Sequence, residues 1–72
     1  MPKFDRGDII SQVTDWGGIT YLVTDIATSH DTFPDAIEYY NLQTLQHYDQ
    51  SMLGRRVELA TWLIDKTCKL KA

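Results

Sequence analysis

The chain reads as a mainly β protein, one small antiparallel domain of about five strands with a short helical turn or helix near its C-terminus. Three observations predict this. β-branched and aromatic residues gather in short runs at 9–14, 19–26 and 37–45, where apolar and polar side chains alternate with the period of a strand. Gly, Pro, Asp and Ser punctuate the runs, as turns require. The length of 72 residues leaves room for a single domain, 1–72, because so short a chain buries only about 60% of the surface it exposes when unfolded.

Taken in order, Phe4 precedes a turn at Gly7-Asp8, and Ile9-Ile10-Ser11-Gln12-Val13-Thr14 is the first strand. In Asp15-Trp16-Gly17-Gly18 two consecutive glycines are free to adopt positive φ, which predicts a hairpin turn there and an antiparallel return. The second strand, 19–26, carries Ile19, Tyr21 and Val23 on one face. Ile26 breaks that parity, so a bulge is expected near Thr24-Asp25. The polar, Pro34-containing stretch 27–35 reads as an exposed loop. The third strand, 37–45, alternates Tyr40 and Leu42 toward the interior, and 46–51 either extends it or turns away.

Two periods compete beyond Met52. Val57, Leu59, Thr61 and Leu63 alternate as a strand, whereas Leu53, Val57, Ala60, Ile64 and Cys68 fall on one helical stripe. The favoured reading is a strand Arg56–Ala60, a helical turn through 62–65 and a last strand at 67–70. The alternative is a single helix over 55–69.

An apolar fraction of 43% and a charged fraction of 24% are ordinary for a folded domain and exclude the composition of a disordered chain. The net charge of -3 argues against a duplex nucleic-acid partner, which a basic face would have to engage. Arg55, Arg56, Lys66, Lys69 and Lys71 lie toward the C-terminus, while Asp5, Asp8, Asp15, Asp25, Asp31 and Asp35 crowd the first half, a pattern of a two-signed surface. Cys68 is the single cysteine, so no internal disulfide forms. Its neighbours fit a small residue packed in a terminal strand. No basic start followed by an apolar stretch appears, so neither a signal peptide nor a membrane partner is expected, and the lone thiol points to the cytoplasm.

Phe4-x-x-Gly7-Asp8-Ile9-Ile10, Tyr21-x-Val23-x-x-Ile26, Tyr39-Tyr40-x-Leu42 and Ile64-Asp65-Lys66-x-x-Lys69-Leu70 occur in that order. The arrangement resembles small uncharacterised phage-encoded proteins with an SH3-like β-barrel. The resemblance implies a strongly bent, five-stranded antiparallel barrel, and a place in the host-cell cytoplasm. The chain departs from that pattern in its polar loop around His30 to Asp35 and in the long stretch 43–54, where a specific function would be housed.

The chemistry of an enzyme is absent from the pattern. His30 with Asp31, and His47 with Asp49, are ligand types without the spacing of a metal site. Ser29-His30-Asp31 has the letters of a catalytic triad in adjacent positions, which point in different directions. No glycine-rich phosphate loop leads into a helix. No catalytic residue, metal or cofactor is therefore expected.

Binding residues are better represented. Two Trp, four Tyr and two Phe are more than so small a core can take in. Trp16 and Phe33, in turn and loop, and Tyr39 and Tyr48 are candidate contact residues. Arg55-Arg56, near Tyr48 and His47, could hold a phosphate beside a ring. The leading expectation is a non-catalytic phage-type accessory or anti-defence protein that binds and inhibits a host protein. The first alternative is a homo-oligomer that sequesters a small nucleotide signal between subunits. The second is a weak single-stranded nucleic-acid-binding module.

Overall fold

The computed structural model describes residues 2–29 and 37–71. Its first feature is a turn: Asp8 N–H donates to the Asp5 carbonyl (3.0 Å), and Asp8 Oδ2 accepts from Asp5 N–H (2.8 Å). Gly7, with φ +94°, supplies the positive φ that the third residue of a type II turn needs. The turn is fastened to the sheet by two backbone bonds, Gly7 N–H to Val23 O and Val23 N–H to Asp8 O.

Five strands follow: β1 (Ile9–Thr14), β2 (Gly17–Ser29), β3 (Ile37–Gln46), β4 (Arg56–Ala60) and β5 (Cys68–Leu70). A 3-10 turn (Gln50–Met52) lies between β3 and β4, and one helix, α1 (Thr61–Thr67), between β4 and β5. All pairings are antiparallel, in the order β4-β3-β2-β1-β5. β1 and β4 occupy the residues expected of them, and the C-terminal segment takes the strand, helix, strand order rather than the single helix over 55–69. The stripe of Val57, Ile64 and Cys68 is real, but three elements contribute to it in turn.

Two expectations are corrected. The β1–β2 turn is Asp15-Trp16, since Thr14 already pairs with Gly17 and Val13 with Gly18. Only Gly17 takes a positive φ, +137°, and Asp15 and Trp16 keep negative values, so a primed turn is excluded and glycine serves just after the bend. The polar stretch after Ile26 does not leave the sheet at Ala27. β2 continues to Ser29, pairing Ala27 with Tyr39 and Ser29 with Ile37.

The sheet is also open, not a closed barrel. β4 and β5 end the strand order, and among the described residues no ladder joins them. The chain leaves β4 directly into α1, which packs against β3, β4 and β5, and the fifth pairing that would close a barrel is not made among the described residues. α1 has only seven residues and no side-chain cap at its start, so it depends on packing: Ile64 is fully buried, and the buried Thr61 hydroxyl donates to Glu38 Oε1 (3.2 Å).

Strand parity sorts the side chains. The covered face holds Ile10, Ile19, Tyr21, Val23, Tyr40, Leu42 and Cys68, closed by Phe4 and Ile64, with Ile26, Val57 and Leu59 at its margin. A register shift between Val23 and Asp25 is the bulge that returns Ile26 to this face. One polar network crosses the core. The Tyr40 hydroxyl donates to Asp65 Oδ1 (2.5 Å) and accepts from Phe4 N–H (3.1 Å), while Lys3 N–H donates to the same carboxylate. It ties β3, α1 and the N-terminal segment together.

Candidate binding surface

The β1–β2 turn and the β3–β4 connection meet at one end of the sheet. A Cβ added to Gly17 would lie 3.2 Å from the Cβ of Tyr48, so the absence of a side chain at Gly17 is what lets the two segments touch. Beside that contact Trp16 is 79% exposed and Tyr48 50% exposed. The His47 ring lies 4.3 Å from that of Tyr48, centre to centre, and His47 Nδ1 accepts from Asp49 N–H (2.9 Å), which places the ring proton of the neutral form on Nε2.

The β3–β4 connection is held by its own polar groups. Asp49 Oδ1 accepts from both the N–H and the hydroxyl of Ser51, and these bonds hold its carboxyl below the ordinary value. Arg55 Nε donates to the Ser51 carbonyl (3.1 Å). Asp15, exposed in the turn, and Asp49 give this aromatic end an acidic border.

The predicted contact residues do not form one cluster. Trp16 and Tyr48 come together at the hairpin end. Arg55 and Arg56 part company: Arg55 bonds back to the connection, whereas Arg56 lies on the uncovered face of the sheet. There it lines a cleft of about 370 Å³ with Thr24, Asp25, Asn41 and Glu58. The two carboxylates in that cleft oppose a phosphate, so the residues of the Arg-Arg pair do not converge on one anion. Tyr39, half-buried, sits farther along β3 between Ala27 and Ala60. Phe33, His30 and Asp31 lie outside the described residues.

Two features escaped the sequence reading. Trp62 is 68% exposed on α1, because the helix turns Ile64 and Thr61 inward, and two-state periodicity could not decide that before the helix was known. On the uncovered sheet face, Ile9, Thr20, Leu45, Gln46 and Lys71 line a cleft of about 340 Å³. Gln46 reaches it through a register shift between Thr20 and Tyr21, which sets it opposite Thr20. Lys71 Nζ donates to Thr20 Oγ1 (3.2 Å) across its floor.

Cys68 is buried, and burial raises its thiol pKa, which keeps the sulfur protonated and unreactive. Among the described residues no group of three or more His, Cys, Asp or Glu could hold a metal ion. Among them, too, no helix is long and apolar enough to cross a membrane. Comparison of the chain with models of known families, with curated proteins and with solved structures gave no match.

Proposed function

We propose that this chain is a non-catalytic binding protein of SH3-like architecture, a phage-type accessory protein that blocks a host protein through its hairpin end. One observation carries the reading: Trp16, in the β1–β2 turn, and Tyr48, in the β3–β4 connection that meets that turn at Gly17, are both exposed, without the cover that large aromatic residues normally have. Rings with few rotatable bonds lose little entropy when a partner closes over them, which is why Trp and Tyr anchor interfaces. Asp15 and Asp49 at the border favour a basic partner by charge complementarity. The strand order, with a short helix before the last strand, supports the SH3-like architecture.

Sequestration of a nucleotide is the weaker reading, because it needs cations that converge, and Arg55 and Arg56 diverge. The same divergence and the net charge of -3 weigh against single-stranded nucleic acid.

The test is affinity capture from host extract with three baits: the native chain, Trp16→Ala and Trp62→Ala. A partner held by the native chain and by Trp62→Ala but lost with Trp16→Ala is the expected result. Equal capture by all three, or no partner at all, removes the proposal.

A further inference from the structure

β4 is an edge strand, and its sequence is complementary to itself. Thr44 N–H donates to the Arg55 carbonyl (2.9 Å), and Leu42 and Tyr40 lie opposite Val57 and Leu59. Since antiparallel strands turn successive residues' backbone groups to alternate sides, Val57 and Leu59 bond to β3 and the N–H and C=O of Arg56 and Glu58 point away from the sheet. Among the described residues no backbone bond reaches Arg56 or Glu58 from that side.

We propose that two copies of this chain dimerise by antiparallel pairing of β4 with β4, centred on Val57. In that register Arg56 of each copy lies directly opposite Glu58 of the other, on the same face, and the outward backbone groups of these residues exchange four hydrogen bonds. Opposite charges in direct cross-strand positions are favourable, and like charges there are unfavourable. Slipping the register by one residue, so that Val57 faces Glu58 of the other copy, flips one sheet over. Centring on Glu58 sets Glu58 against its own copy. An exposed edge invites such pairing unless its charges repel, and the alternation of Arg56 and Glu58 does not.

The dimer pairs backbone groups of β4 that a chain of 72 residues would otherwise leave to solvent, and it rests on the edge position and charge order of β4, not on the exposure of Trp16 or Tyr48. The proposal is thus independent of the hairpin-end reading.

Sedimentation equilibrium across a range of concentrations at low salt tests it with four chains: native, Arg56→Glu, Glu58→Arg and the double exchange. The native chain is expected to reach twice its 8.3 kDa. Each single reversal sets like charges opposite each other at two symmetric positions, and dimerisation should weaken about tenfold or more. The double exchange should restore it, and circular dichroism should show all four chains equally folded. A native chain that stays monomeric, a species larger than a dimer, or an Arg56→Glu chain that dimerises as the native does overturns the proposal. So does a folded double exchange that fails to recover.

Discussion

Replacing Tyr40 with Phe removes one oxygen from a fully buried side chain and leaves its packing in place. The oxygen has two partners, the Asp65 carboxylate at 2.5 Å and Phe4 N–H at 3.1 Å. A hydrogen bond to a charged group contributes about 1.5–3 kcal/mol, and a buried N–H left without an acceptor costs about 1–3 kcal/mol. Asp65 is half-exposed and still accepts from Lys3 N–H, so water recovers part of the first contribution. The net loss is about 2–4 kcal/mol, against a total stability of roughly 4–11 kcal/mol for a chain of this length. Urea unfolding followed by circular dichroism should show a lower midpoint with an unchanged slope. A loss below about 1 kcal/mol would refute the idea that this network pins the N-terminal segment to α1 and β3.

Further outcomes follow from the same coordinates. Burial and the bond to Asp65 push the Tyr40 hydroxyl up to about 12, and burial also raises Tyr21 and Cys68. A raised pKa means the folded state holds the proton more tightly, so the stability due to Tyr40 is intact below about pH 10 and drains away as pH climbs toward 12. Alkaline unfolding of native and Tyr40→Phe chains should show that part of the pH dependence vanish in the variant. Gly17→Ala should cost about 1–3 kcal/mol, from its φ of +137° and the 3.2 Å approach to Tyr48, while Gly18→Ala, with open space around it, should cost less than 1 kcal/mol, both read by thermal unfolding. Thr44→Val should stabilise the chain by about 1 kcal/mol, because Thr44 Oγ1 is buried without a hydrogen-bond partner and valine suits a strand. Denaturant midpoints check the sign.

Much of the sheet was legible in the residues. β1 carries a β-branched run with clear limits, the favoured reading of the tail placed β4 at Arg56–Ala60, and the parity break at Ile26 announced the bulge that restores it. Three features were not. Adjacent glycines say that a bend is near without saying which of them needs the positive φ, and the answer here is Gly17 alone. Closure of a barrel is a property of strands far apart in the chain, and no local pattern reports that α1 stands between β4 and β5. The helical stripe through Leu53, Val57, Ala60, Ile64 and Cys68 competed with alternation, because a strand followed by a short helix and another strand satisfies both periods.

The candidate site was half legible for a related reason. Trp16, as a residue of the tight turn itself, has nowhere to be buried, and its exposure follows from that position. Tyr48 gave no such sign, since its place against Gly17 depends on how the β3–β4 connection folds back. The divergence of Arg55 and Arg56 follows from the start of β4 between them: one residue belongs to the connection, the next to a strand with alternating faces. Adjacency in sequence is a poor guide to convergence wherever a strand begins.

The claim that the hairpin end is the contact surface is tested most directly by calorimetric titration of the captured partner into native, Trp16→Ala, Tyr48→Ala and Trp62→Ala chains. A buried aromatic anchor is worth about 2 kcal/mol or more, so the first two variants should bind about 30-fold more weakly or worse, and Trp62→Ala within about threefold of the native chain. Full affinity in Trp16→Ala and Tyr48→Ala, or a loss confined to Trp62→Ala, would contradict the account.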